Sequence, residues 1–169
     1  PYVAVVAGAA AAGLLSVGIN LLSVVTLMAL AFTVPAYRSA LETGLAATPR
    51  EAFARVRHHW QLAVALGAAL TVLICAATPW VLPFAFRVQG HEATMTVALV
   101  AAGAVFEPMA IFAGSLYHAS LQDRRLFRLG LVNVAAGWLM TGAGGLAAGA
   151  PGMAAGFLAS RAVSTLVLY

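Results

Sequence analysis

Residues 61–78 read QLAVALGAALTVLICAAT, a run without a charged side chain. It belongs to a longer uncharged stretch from His58 to Phe86. The hydrocarbon core of a bilayer is ~30 Å thick, which a helix of about 20 residues crosses. Strands of a membrane barrel would instead alternate polar and apolar residues over segments of ~10. No such alternation is visible here, so the run is expected to be a membrane-crossing helix, and the rest of the chain must fit the same solvent.

Working outward, further uncharged runs cover Pro1–Tyr37, Ala93–Phe106, Pro108–Gln122 and Leu129–Ser160, and the middle two of these join across Glu107. Of the 169 residues, 63% are hydrophobic and 8% charged. Soluble domains carry ~25% charged residues, so this chain could not cover a water-facing surface. The fold class that follows is an all-α, polytopic transmembrane helical bundle with the lipid bilayer as its surroundings. The net charge of +4 comes from arginines at the ends of spans, which argues against nucleic acid as a partner. Cys75 is the only cysteine, so no disulfide can form within the chain, and a buried inert thiol is the expected reading. The sequence opens on Pro1 and stops inside an apolar segment at Tyr169. It is therefore read as a fragment of a longer protein, without a basic n-region of a signal peptide.

Five helices are expected: 3–45, with Pro35 as a kink; 49–78; 92–120; 124–147; and 151–169. The second opens with Thr48-Pro49-Arg50-Glu51, an N-cap threonine, proline at the first helical position and a capping-box glutamate. Pro79 and Pro83 mark its irregular exit. Loop charge orients the helices. Arg38–Arg57 holds four arginines against two glutamates, and Asp123–Arg128 three arginines against one aspartate. Between them, Arg87–Glu92 has one of each sign, and Gly144–Gly152 has none. Arginine-rich loops stay in the cytoplasm. The alternation makes the chain enter its first helix from outside and end its fifth inside.

The polar residues within spans are few. Glu107, in AGAVFEPMAIFAG (102–114), has no charged neighbour within a dozen positions. A charge at mid-bilayer costs ~2.5–3.5 kcal/mol on insertion scales, so such residues face protein or water and suggest an ion or substrate site. Helical spacing sets Gly103, Gly114 and His118 near its face. Pro108 cannot donate to the carbonyl of Ala104, which frees an acceptor one turn away for a cation or proton carrier. The plainer reading is a protonated glutamate tying two helices together. Ser16, Asn20 and Ser23 form one stripe of the first helix, and Asn133 with Thr141 sits on the fourth. Both sets could line a polar cavity or join helices by hydrogen bonds of ~0.6–2 kcal/mol. Gly145 and Gly149, and Gly152 and Gly156, have the spacing of close helix packing. His58 and His59 point about 100° apart on a helix and make a poor metal pair. Arg161 is expected to snorkel to the cytoplasmic surface, with a role at a substrate site as the less favoured alternative. There is no phosphate-cradling glycine loop, Cys/His cluster or zinc-protease motif, and no cofactor or enzymatic activity is expected.

Three stretches, VPAYRSALETGLAATPREAFARVR, AGSLYHASLQDRR and LVNVAAGWL, resemble one lobe of the multidrug and toxic compound extrusion (MATE) transporters, within the superfamily that includes lipid and polysaccharide flippases. Where the family often has a glycine-rich turn this chain has LAAT, and Tyr117-His118 stands where an Arg-Gly pair is common. The resemblance implies that residues 1–169 form a single transmembrane lobe of a two-lobe protein, multi-pass in a bacterial inner membrane. It implies ion-coupled antiport, by H⁺ or Na⁺, of organic, drug-like and cationic small molecules, the missing second lobe being the partner. Aligning VFEPMAIFAGSLYHASLQD with the family's C-terminal lobe places a coupling acid at Glu107, and Asn20 and Asn133 join it as candidate cation- or substrate-binding residues. A flippase of the same superfamily is the alternative implied function, and a non-transporting structural subunit the alternative of a different class.

Overall fold

In a computed structural model of the chain, residues 2–42, 49–119 and 123–168 are described. Every one of its elements is helical: α1 (Tyr2–Glu42), α2 (Pro49–Phe86), α3 (His91–Ala102), a 3₁₀ turn (Gly103–Phe106), α4 (Glu107–Ala119) and α5 (Asp123–Leu168). Helices keep every backbone N–H and C=O bonded within the segment, which lipid demands. Four helical stretches are long and apolar enough to cross a bilayer: Ala9–Met28 in α1, Arg57–Phe86 in α2, His91–Ser115 from α3 through the 3₁₀ turn into α4, and Asp123–Leu166 in α5.

The fourth of these does not run straight. Ala148 and Gly149 leave helical geometry, with Gly149 at φ 61° and ψ −140°. A straight helix would hold Gly144 and Gly152 about 12 Å apart. Instead a Cβ on Gly144 would collide with the carbonyl of Gly152, and one on Gly156 with that of Met140. Gly137 faces Ser160, whose Oγ would lie 3.9 Å from such a Cβ. The chain therefore reverses at Ala148–Gly149, and two arms (residues 123–147 and 150–168) lie back to back. Gly152 and Gly156 serve the close packing their spacing suggests. Gly149 instead makes the turn, in a backbone region that only glycine enters at low cost.

Other boundaries depart from expectation. α1 runs through Pro35 to Glu42, and α2 starts at Pro49 as its sequence implies. The threonine cap before it, Thr48, lies outside the described residues, as do residues 43–48 in which α1 was expected to end. α2 continues past Thr78 through both Pro79 and Pro83 to Phe86. Proline is tolerated inside membrane helices because local adjustment and neighbours absorb the missing bond. The stop is instead made by Arg87, at φ 54°, and a wide turn in which the Val88 N–H donates to the Leu82 carbonyl over 3.2 Å. The single helix expected over 92–120 is split by its 3₁₀ turn.

α1 lies centrally and packs on α2, α3, α4 and α5, whereas α2 and α5 flank it without touching among the described residues. Leu22 and Val25 of α1 meet Ala104, and Leu15 meets Val100, Met153 and Ala154. Small residues allow the approach. Gly18 receives Val100, and Gly67 of α2 receives the ring of Pro108. Without a hydrophobic drive between helices in lipid, such backbone proximity supplies the packing energy. Large apolar side chains such as Leu73, Phe84, Leu139 and Leu166 point outward, which lipid rather than water would cover. Four long apolar helices with outward-facing apolar side chains are compatible with a multi-pass membrane protein.

Candidate functional site at Glu107 and Arg161

Pro108 shapes the backbone under the acid. Because it has no N–H for the carbonyl of Ala104, an α-helical turn would orphan that acceptor. The helix tightens instead, and the Glu107 N–H bonds Ala104 in i→i−3 fashion. The carbonyl expected to be free for a cation is thus occupied. Glu107 itself stands at the joint between the 3₁₀ turn and α4, with its side chain aimed at α5.

There it meets Arg161, on the second arm of α5. Nη1 of Arg161 lies 3.0 Å from Glu107 Oε1, with side-chain exposures of 37% for the arginine and 9% for the glutamate. The N–H does not aim at the oxygen, so the contact is an ion pair while Oε1 accepts no well-formed hydrogen bond. The guanidinium also lies over the ring of Phe157, 5.2 Å from its centroid. Gly103 makes room for this. A Cβ there would stand 3.2 Å from Phe157 Cε1 and 3.8 Å from Arg161 Cγ. One glycine, a turn before the acid, lets the second arm bring its cation within reach.

Arg161 is not a lone charge: a carboxylate is within reach, and pairing costs less than separate desolvation of two ions. The signal was present in the sequence. Within the described spans, Glu107 and Arg161 are the charges that interrupt the apolar runs, and membranes place such residues in pairs. Among the described residues, the other titratable side chains sit toward the helix ends, Arg57, His58 and His59 on α2, His91 and Glu92 on α3, Tyr117 and His118 on α4 and Asp123 to Arg128 on α5, with Cys75 at mid-helix on α2.

Beside the pair lies a cavity of about 810 Å³ between α4 and the two arms of α5. The arms touch at Gly144 and Gly152 and at Met140 and Gly156, near their glycine-rich turn. Phe106 and Ala110 form one wall, and Asn133, Trp138 and Thr141 the first arm's side. The second arm contributes Phe157, Arg161 and the hydroxyl residues Ser160, Ser164 and Thr165. Ser160 and Thr165 spend their hydroxyls on backbone carbonyls of their own helix, at 2.7 and 2.9 Å. Arg161, Asn133, Thr141 and Ser164 supply further polar side chains of the wall.

The three sequence candidates thus fall in different places. Asn133 lines the cavity with Thr141, and Glu107 lies behind its wall, bound to Arg161. Asn20 is exposed on α1 and does not line it. Ser16 shares that outer face, and Ser23 donates to the carbonyl of Ile19 over 2.9 Å. No atom of the described residues stands within 4 Å of a Cβ placed on Gly114, and His118 pairs with Asp123 where α4 gives way to α5. Arg125 tops the same junction, 5.5 Å from the centroid of Tyr117. The rings of His58 and His59 meet edge to face at 6.3 Å. No group of three or more metal-ligating side chains occurs among the described residues. Arg161 was weighed at a substrate site only as the less favoured alternative, and Ser160, Ser164 and Thr165, which flank it at helical spacings of one, three and four, were missed. Compared with family models, curated proteins and solved structures, the chain matches none.

Proposed function

We propose that the chain is one lobe of an ion-coupled membrane transporter of the MATE and flippase type, with Glu107 as the coupling acid. The observation that carries the reading is the ion pair at mid-span beside a cavity of about 810 Å³. A pair of hydrophobic residues would pack there at lower cost, since desolvating two ions takes several kcal/mol each. Charges kept inside a bilayer are found on ion and substrate pathways, and the cavity falls in the size range of small-molecule sites, ~300–1,000 Å³. Each arm of α5 is long enough for its own crossing. Counting them separately gives five crossings and the outside-to-inside path that the loop arginines indicate.

The pair favours a proton over Na⁺ as the coupling ion. A sodium ion at Glu107 would stand against the guanidinium, like charge on like charge. A proton neutralises Glu107 and releases Arg161, so that the second arm loses its tie to α4 while the glycine-packed end stays closed. In alternating access, one bundle rocks against another around a central site. On this reading the two protonation states of Glu107 set different positions of the second arm.

Reconstituting the full-length protein in vesicles and imposing a pH gradient tests the proposal. Glu107→Gln should remove gradient-driven transport while exchange of substrate at equal pH persists. Unimpaired coupled transport by both Glu107→Gln and Glu107→Ala would refute it. Arg161 on the cavity wall favours, as a second reading, a flippase handling a lipid-linked anion. That reading requires the substrate to change leaflet, which a leaflet-specific probe reports.

A further inference from the structure

We propose that the cavity between the arms of α5 binds an anionic amphiphile, with Arg161 gripping its carboxylate, sulfonate or phosphate and Glu107 acting as the internal competitor for that grip. This rests on reading the cavity as the transporter's substrate site, and it replaces the expected cationic substrate with an anionic one.

The charge on the wall decides the polarity. Arg161 lines the cavity, whereas the carboxylate of Glu107 is recessed behind it. A cationic ligand would meet the guanidinium first. The arginine is also under-used. A guanidinium carries five N–H donors, yet among the described residues it engages only Glu107, out of line, and the face of Phe157. An anion entering the cavity can receive two parallel hydrogen bonds in the fork geometry that arginine favours. Asn133 and Ser164, across the opening and one turn on, can donate to the same head group. The remaining wall, with Phe106, Val134 and Trp138, suits an apolar body. Glu107 already occupies one side of the fork, so ligand and glutamate compete for it.

The test uses two fluorescent probes with one aromatic body: 1-anilinonaphthalene-8-sulfonate, and uncharged N-phenyl-1-naphthylamine. Saturable binding to the full-length protein in phosphatidylcholine nanodiscs is compared. The sulfonate should bind at least about tenfold tighter, as a charge-assisted hydrogen bond supplies. Glu107→Gln, which removes the competitor, should tighten the sulfonate further and leave the neutral probe unchanged. The double variant Glu107→Gln/Arg161→Gln orphans neither charge, so it should fold and bind both probes alike; Arg161→Lys should keep the preference. Competition then identifies the natural source of the anion. Displacement by phosphatidylglycerol in the nanodisc indicates a lipid head group, and displacement by millimolar inorganic phosphate a free anion. Equal binding of both probes to the unaltered protein would overturn the proposal, as would a Glu107→Gln variant that loses the sulfonate. Because binding is read without a gradient, such a failure leaves the coupling role of Glu107 standing, and loss of coupling leaves the binding result standing.

Discussion

Replacing Arg161 with glutamine while keeping Glu107 should destabilise the protein far more than the converse change. The carboxylate is nearly enclosed, at 9% exposure, whereas the guanidinium keeps 37% and borders the cavity. An arginine that loses its partner can turn into that space and recover hydration. A glutamate that loses its partner has no such exit, and removal of one member of a buried pair costs ~3–5 kcal/mol. Arg161→Gln is therefore expected to cost about 3–4 kcal/mol. Glu107→Gln should cost about 1 kcal/mol, the scale of a lost partly solvated pair, and the double variant less than Arg161→Gln alone.

Reversible unfolding in mixed micelles, followed by circular dichroism, measures the three variants. An Arg161→Gln protein no less stable than Glu107→Gln, or a double variant less stable than Arg161→Gln, would refute the claim that a buried ion pair holds α4 to α5.

Other consequences follow from packing. Gly149→Ala places a Cβ at φ 61° and ψ −140° and should cost about 1–3 kcal/mol, read as a lowered midpoint in the same unfolding assay. Gly137→Cys with Ser160→Cys, in a Cys75→Ala background, should cross-link under mild oxidation, since an approach of 3.9 Å between Cβ and Oγ suits disulfide geometry; no gel shift would mean that the arms are not antiparallel. Gly67→Ala drives a Cβ to 2.7 Å from Pro108 Cγ, an overpacking worth ~1–3 kcal/mol. Pro108→Ala should relieve much of that, so a double-mutant cycle on this pair should show positive coupling.

How far the sequence could be read depended on which solvent and which neighbours each residue meets. Charge depletion and uninterrupted apolar runs point to long apolar helices without reference to tertiary contacts, because they report the solvent a surface can face, and four such helices are found. The turn at Ala148–Gly149 falls inside the expected connection 144–152 for a similar reason: glycine and the absence of charge are local properties. The exit of α2 was misplaced because proline is a strong stop in water and a weaker one where neighbouring helices supply the context. Arg87, a residue with no left-handed preference of its own, made the stop instead.

The site shows the limit more sharply. Glu107 stands out in one dimension as a charge in the wrong medium, and its neighbours on α4 were assigned from helical spacing alone. Spacing along one helix cannot show what the next helix brings. Arg161 lies 54 positions later in the chain, and no periodicity links it to Glu107. Electroneutrality does. Two opposite charges interrupt spans that are otherwise uncharged, and separate burial would cost several kcal/mol for each. That argument needs no alignment and would have found the pair from sequence. It also changes the chemistry inferred for Glu107. A lone carboxylate attracts cations, but a carboxylate already neutralised by arginine presents the guanidinium as the accessible charge. The ligand polarity at this cavity is therefore set by the arginine, with the glutamate controlling when the arginine is available.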